Sequence, residues 1–389
     1  MISVSKMLYE TEHYGDELRY APEAREQRHG AARSHGPVVV WNCTRTCNLR
    51  CRHCYTGSDS REYEQMDTKA ARAFIDDLAA FRVPVLLLSG GEPLLRGDWP
   101  EIIAYARACG LRVTLSTNGT LITAALAARI KELGVSYVGV SLDGPERIND
   151  EFRGRRGAFA AALAGLRHCI AAGQKVGLRF TLNRHNHRYL DDIFDLAEQE
   201  NIPRICFYHL VYTGRGSAMA GAEDLSHAES RAALDVIIRR TEALRRSGRP
   251  REVLTVDNHA DAAYIYLDLR RRDGERAERA LELLKTNGGN RSGIAIAQVD
   301  WLGNVHPDQF TAHCLGNVRE RKFGDIWTDQ SNPILAGLKD RRPLLHGRCA
   351  ACRWLDICNG NFRARAEAQS GDFWAADPAC YLTDEEIGL

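Results

Sequence analysis

The sequence predicts an α/β protein: a partial (β/α)6, TIM-like barrel followed by a small cysteine-bearing C-terminal domain. Three observations predict it. Six apolar strand segments between about residues 37 and 225 alternate with helical segments of roughly ten to fifteen residues. The strands show no internal polar alternation, which marks a parallel sheet buried on both faces. The cysteine-, glycine- and asparagine-rich motifs fall at the C-terminal ends of those strands, where β/α barrels carry their chemistry.

The elements follow in order. Residues 1–36 are polar and charged and read as an N-terminal extension. The stretch 37–225 holds the barrel. "GPVVVWNCT" is its first strand, "TKAARAFIDDLAAF" a helix by its i, i+3, i+4 apolar spacing, and "VPVLLLSGG" a strand ending in glycines. "WPEIIAYARACG", "TAALAARIKELG", "AFAAALAGLRHCIAAG" and "LDDIFDLAEQEN" continue the helices. "LRVTLSTNG", "VSYVGVSLDG", "KVGLRFTLN" and "RICFYHLVYTG" continue the strands. Residues 226–290 read as Arg- and Glu-rich helices, a bridging segment. From 291 to 389 short strands, turns and a second cysteine group predict a small separate domain held by metal.

Composition narrows the function. The 389 residues are 44% hydrophobic, enough for a sizeable core. Lys and Arg number 52 against 51 acidic residues, a net charge of +1, so the basic excess of a nucleic-acid binder is missing. No apolar run reaches the ~18–20 residues of a membrane span, and "MISVSKMLYETEHYGDELRY" lacks a signal peptide's apolar region, so a cytoplasmic protein is expected. Twelve cysteines in such a chain point to metal or redox chemistry rather than a disulfide framework.

Cys47, Cys51 and Cys54 supply three thiolates on one short loop. Structural zinc takes four ligands, and no second His or Cys pair follows at a suitable offset. Three thiolates suit a four-iron, four-sulfur cluster with one iron left open. Cys43, still at the strand, reads as a buried bystander, because a fourth thiolate would close that iron. The C-x3-C-x2-C spacing followed by Tyr55 resembles the signature of the radical S-adenosylmethionine (SAM) enzymes, and the fold class is then a barrel of radical SAM type. That resemblance implies a [4Fe-4S] cluster chelated by SAM at its open iron. It also implies SAM contacts from Gly90, Gly91, Glu92 and Pro93, with Glu92 on the amino group. Ser116, Thr117, Asn118, Ser141 and Asp143 are implied at the ribose and carboxylate, and Arg153 and Arg179 as partners of the carboxylate.

The second group is Cys349-x2-Cys352-x5-Cys358 with Cys380. With "GNVHPDQFTAHCLGNVRERKFGDIW" it resembles the SPASM or twitch auxiliary domains of radical SAM enzymes. The resemblance implies a second [4Fe-4S] cluster on those four cysteines, with Cys314 as the alternative ligand. A four-cysteine zinc site has compatible spacing and stays open.

Over nearly its whole length the chain resembles the tetrapyrrole-modifying radical SAM proteins, through "PVVVWNCTRTCNLRCRHCY", "VPVLLLSGGEPLLR", "YVGVSLDG", "YTGRG", "LGNVRERKFGDIW" and "CNGNFRARA". The resemblance implies removal of side chains from an iron tetrapyrrole of siroheme type, with an external one-electron donor such as ferredoxin or flavodoxin. The opening twenty residues favour deacetylation of 12,18-didecarboxysiroheme to Fe-coproporphyrin III. Propionate removal toward heme d1 is the alternative, followed by a peptide-modifying SPASM maturase and a non-enzymatic iron–sulfur or zinc scaffold. A substrate with iron and several carboxylates needs cations and an axial imidazole. His209, Tyr212 and Arg215, after the sixth strand, are the candidate catalytic residues, with His259, Arg291, His306 and His313 as further candidates.

Overall fold

The computed structural model describes residues 1–21, 28–31 and 35–389; parts of the 1–36 extension thus lie outside the described residues. In chain order the strands are β1 (Ile2–Ser3), β2 (Val38–Asn42), β3 (Val85–Ser89), β4 (Arg112–Thr117), β5 (Tyr137–Ser141), β6 (Val176–Thr181), β7 (Arg204–Tyr208), β8 (Glu252–Val256), β9 (Ile296–Val299), β10 (Asn304–His306) and β11 (Gly316–Asn317). Two compact units emerge. The first holds the N-terminal segment with Arg179–Arg291 and Asp340–Leu389, the second the stretch up to Leu178 with Ser292–Lys339. β6 begins in one and ends in the other.

In the second unit β2, β3, β4 and β5 are parallel neighbours in that order, with Asn42 opposite Ser89, Leu88 opposite Leu115 and Thr117 opposite Val140. This register brings the ends of the four strands to one edge. The strands are largely apolar because both faces are covered: Val39, Val40, Trp41, Leu86, Leu88, Val113, Leu115, Val138 and Val140 are all buried, and the polar residues of β2, β3 and β5 fall at their C-terminal ends. The crossover helix Thr68–Ala80 starts at Asp67, whose side chain accepts from Ala70 N. It buries Ala71, Phe74, Ile75 and Leu78, the apolar spacing visible in the sequence. On the far edge of β2, β9 pairs in parallel and leads into an antiparallel β9–β10–β11 meander.

In the first unit β7 and β8 pair in parallel from Arg204–Glu252 to Tyr208–Val256, and β1 pairs antiparallel to β8. Three local expectations change here. The supposed extension opens with strand and helix: Ile2, Val4, Met7 and Leu8 are buried. The 226–290 segment is not wholly helical, since "EVLTV" forms β8 between the helices His227–Arg246 and Ala260–Arg272. Its β-branched run is short, and its pairing partners lie far off in sequence. The sixth barrel strand also ends earlier than "RICFYHLVYTG" suggests. His209 N donates to Val256 O (3.0 Å) as the last rung, because β8 itself ends at Val256.

The stretch 291–389 divides between the units. β9–β11 and the helices Phe323–Thr328 and Pro333–Lys339 go with the second, while 340–389, a series of short helices, goes with the first. The parallel pairing of β9 with β2 accounts for the split. Among the described residues no helix is long and apolar enough to cross a membrane.

Candidate active site

In the second unit the loop after β2 is held against the end of β3 by backbone. Gly91 N donates to Thr44 O (2.8 Å) and Glu92 N to Thr46 O (2.9 Å). A Cβ on Gly90 would lie 2.3 Å from Thr44 O, and one on Gly91 2.1 Å from Thr46 O, so the two glycines are what permit the approach. Cys43 is fully enclosed, with Sγ 3.4 Å from Ser89 O and the Arg96 guanidinium on its carbonyl, and burial pushes its thiol up to about 12.

Cys47 and Cys51 are buried with Leu49 and Ala158, and the half-buried Cys54 packs against them. Burial pushes the Cys47 thiol up to about 12, with Glu92, Cys51 and Cys54 adding to the rise. Cys51 is raised by burial too, against the pull of Arg153. Donors reach two of these sulfurs: Asn118 Nδ2 toward Cys47 (3.9 Å) and Arg153 Nη1 toward Cys51 (3.7 Å).

Glu92 ends β3's extension as the N-cap of a 3-10 turn beginning at Pro93. Its carboxylate is fully buried and accepts from Thr117 Oγ1 (2.8 Å), Asn118 N (2.8 Å) and Leu94 N (3.2 Å). Burial outweighs these bonds and lifts it to about 7. Asp143, after β5, is buried and ion-paired with Arg153, while its backbone N–H donates to Asn149 Oδ1 (2.9 Å). Tyr55 Oη donates to Asn42 Oδ1 (2.9 Å), and its ring meets Phe310 edge-on at 5.1 Å. Ser116 and Ser141 are half-buried at the ends of β4 and β5. These predicted residues lie at or after the ends of β2, β3, β4 and β5 in the second unit; the remaining one is Arg179. That residue lies on β6 within the first unit, its guanidinium 5.9 Å from the Tyr208 ring.

In the first unit Cys349, Cys352, Cys358 and Cys380 are all half-buried and free. Burial holds the Cys358 thiol well above its ordinary value, and Cys380, Cys349 and Cys352 each raise it further, so the four sulfurs are neighbours. The turn after Cys358 is fixed by "NGGN": Asn290 N donates to Cys358 O (3.0 Å), Asn359 Nδ2 donates to Asn290 O (2.7 Å), and Gly289 has no room for a Cβ. Cys314 lies in the second unit, exposed, with Sγ 3.5 Å from Gly316 O. Among the described residues no three His, Cys, Asp or Glu groups converge as tightly as a single metal ion demands. A four-iron cluster asks for a wider arrangement, because each thiolate binds a different iron.

His209 Nε2 lies 3.0 Å from Asp261 Oδ2, and Tyr381 Oη donates to Asp261 Oδ1 (2.6 Å). Burial favours the neutral acid at Asp261, but His209 and Tyr381 pull its carboxyl below the usual range. Tyr212 Oη donates to Asp224 Oδ2 (2.6 Å), and burial first, then Asp224, raises the phenol. Arg215 is half-buried in the 3-10 turn Gly214–Met219. His259 is enclosed, its backbone N–H on Asn361 Oδ1, and burial keeps its ring well below the ordinary value. Burial lowers Arg291 to about 10. His306 and His313 belong to the β10–β11 region of the second unit, joined by His306 Nδ1 and His313 O (3.1 Å).

Sequence reasoning missed Asp261, Tyr381, Asp224 and the buried Arg365–Asp377 pair. Asp261 stands two residues after His259 in "DNHADAAY" and Tyr381 directly after Cys380, so position alone could have flagged both.

A parallel α/β sheet whose first strand end carries three clustered thiols, faced by a GGE turn and further strand-end polar groups, defines an iron–sulfur enzyme of the radical SAM type. The chain belongs to the Radical SAM superfamily, whose profile matches residues 41–197. With that membership come a [4Fe-4S] cluster and SAM. The chain is 55% identical to the Fe-coproporphyrin III synthase of Methanosarcina barkeri, over 100% of this chain and 99% of that protein. It is 42% identical to the pre-heme d1 synthase of Dinoroseobacter shibae, over 98% and 94%. The fold also matches Streptococcus suis SuiB, solved with its precursor peptide SuiA, at a TM-score of 0.71 and 16% identity over 90% of this chain and 76% of that one.

The glycine pair gives a direct test. Gly91→Ala forces the 43–55 loop off the sheet and is expected to lower stability by about 1–3 kcal/mol. Gly97→Ala, with open space around its Cβ, is expected to be near neutral. Urea unfolding midpoints of the two variants check it.

Proposed function

We propose that this enzyme removes the two acetate side chains of 12,18-didecarboxysiroheme, giving Fe-coproporphyrin III. The observation that carries the proposal is the end-to-end 55% identity to an Fe-coproporphyrin III synthase, against 42% to a pre-heme d1 synthase.

In this reading Cys47, Cys51 and Cys54 hold the [4Fe-4S] cluster, and the thiols of Cys47 and Cys51, raised by burial, give up protons as it loads. When bound and reduced by one electron, the cluster and SAM supply a 5′-deoxyadenosyl radical able to take hydrogen from carbon. The chain binds and orients. Glu92 with Gly90, Gly91 and Pro93 receives the SAM amino group, Thr117 and Asn118 keep Glu92 aimed, and Tyr55, Ser116, Ser141, Asp143 and Arg153 contact the rest of SAM. Cys349, Cys352, Cys358 and Cys380 hold a second [4Fe-4S] cluster, and His209, Tyr212 and Arg215 bind the iron tetrapyrrole. Residues 37–225 act as the core, 1–36 and 226–290 as its extension and bridge, and 291–389 as the auxiliary part. A cytoplasmic ferredoxin or flavodoxin supplies the electron.

The test is anaerobic incubation of the reduced enzyme with SAM and 12,18-didecarboxysiroheme, followed by mass analysis of the tetrapyrrole. Loss of two acetates supports the proposal; loss of propionates, or an unchanged macrocycle, overturns it. Cys51→Ala is expected to abolish formation of 5′-deoxyadenosine, whereas Cys43→Ala, whose sulfur already packs on Ser89, keeps it.

The raised carboxyl of Glu92 also sets a pH dependence. Below about 7 the group holds a proton and offers the SAM ammonium no charge; above it the carboxylate is ready. A bound cation lowers that pKa, so binding releases a proton on the acid side and is fully developed on the basic side. SAM affinity of the iron-loaded protein is expected to fall about tenfold per pH unit below 7. Calorimetric titration at pH 6, 7 and 8 measures it, and a flat profile would remove Glu92 from this role.

A further inference from the structure

The end of β7 carries an arrangement that the fold alone does not require. Asp261, in the first turn of the helix Ala260–Arg272, is 0% exposed and uses both carboxylate oxygens. Tyr381 Oη donates to Oδ1 at 2.6 Å, and His209 Nε2 faces Oδ2 at 3.0 Å. An ionised carboxylate only accepts, so Nε2–H of His209 is the donor to Asp261, and in that tautomer the lone pair lies on Nδ1. The ring is fixed twice, since the His209 backbone N–H also closes the last rung of the β7–β8 ladder on Val256 O.

Nδ1 of His209 makes no hydrogen bond among the described residues. Nor is it one of the sealed polar atoms that lack a partner, although Nδ1 of His259 is. An imidazole whose one nitrogen is tied to a carboxylate and whose other nitrogen is unbonded and not sealed off has the arrangement of a metal ligand. Metal-bound histidines donate their second N–H to such a group, which sets the tautomer and raises the basicity of the ligating nitrogen. The other candidate rings differ: His259 is enclosed, and His306 Nδ1 is occupied by His313 O.

We propose that His209 Nδ1 is the axial ligand to the iron of the tetrapyrrole substrate, with Asp261 and Tyr381 as positioning residues that hold the imidazole for it. This rests on the tetrapyrrole reading above. It adds that the enzyme recognises its substrate through the metal as well as through the carboxylates.

The experiment titrates ferric coproporphyrin III into the full-length, iron-loaded protein and follows the Soret band and the electron paramagnetic resonance signal. Metal-free coproporphyrin III serves as the control. Wild type is expected to give an imidazole-ligated spectrum. His209→Gln keeps an N–H for Asp261 and is expected to lose that spectrum, regain it with added imidazole, and bind the metal-free porphyrin as wild type does. Asp261→Asn keeps the imidazole but not the anion, and is expected to bind the iron porphyrin about 10- to 100-fold more weakly with little change for the metal-free one. It carries the test if His209→Gln does not fold. A His209→Gln spectrum identical to wild type, or equal losses for both porphyrins in Asp261→Asn, overturns the axial ligand and leaves tetrapyrrole binding standing. Failure of wild type to bind either porphyrin overturns the tetrapyrrole reading and this inference with it.

Discussion

Two backbone hydrogen bonds organise the cysteine loop and its surroundings: Gly91 N to Thr44 O and Glu92 N to Thr46 O. They continue the parallel β2–β3 pairing past the point where both strands formally end. The loop carrying Cys47, Cys51 and Cys54 is therefore an extension of the sheet, set at a fixed height above the strand ends. The contact requires residues without a Cβ at 90 and 91, which is why the apolar run "VLLLS" gives way to two glycines. The same two bonds aim Glu92 at Thr117 and Asn118 on the next strand end, and Asn118 in turn reaches Cys47. Sheet register, loop position and the orientation of a buried carboxylate follow from one local constraint.

That constraint carries an electrostatic cost. The loop and strand ends enclose two thiols, a carboxylate lifted to about 7 and the Asp143–Arg153 ion pair. Each would be cheaper in water, and replacing a buried ion pair by apolar groups often stabilises a protein. Arg153 shows how the cost is managed, because it pairs with Asp143 and also reaches the Cys51 sulfur. Enclosed groups with displaced proton affinities, gathered at strand ends of a parallel sheet, are the usual signature of a site kept for chemistry rather than for stability. Cys43 is the contrast: equally buried, its sulfur hydrogen-bonds a strand carbonyl, and its neighbour Arg96 is spent on backbone and Asp98.

The parts legible in the sequence are those whose physics is local. Apolar runs of five or six residues, helices with a cap and an i, i+3, i+4, i+7 face, and glycines at close backbone approaches all write their signals within a few residues. β8 and β1 are short, and their stability lies in pairing with each other and with β7 across some 250 and 50 residues, so composition around them could not reveal them. The same holds at the His209 site. Asp261 and Tyr381 are 52 and 172 positions from His209, and nothing near the histidine foretells a carboxylate. The cysteine spacings were readable because Cys47, Cys51 and Cys54, like Cys349, Cys352 and Cys358, lie close together in the chain.

The C-terminal segment shows how such distant partners are brought to register. Arg365 is fully buried and makes a two-pronged bond to Asp377, with further bonds to Leu210 O just past β7 and Asp257 O just past β8. Those carbonyls stand where strand pairing has run out, so they would otherwise be buried acceptors without donors. One guanidinium therefore satisfies two strand ends and fixes Asp377, three residues before Cys380 and four before Tyr381. The segment that supplies Cys380 also supplies Tyr381 to Asp261, so the fourth cysteine and the support of the imidazole at the end of β7 are positioned through the same buried cation. Loosening Arg365 would disturb both at once, which makes the two features parts of one mechanical assembly within the first unit.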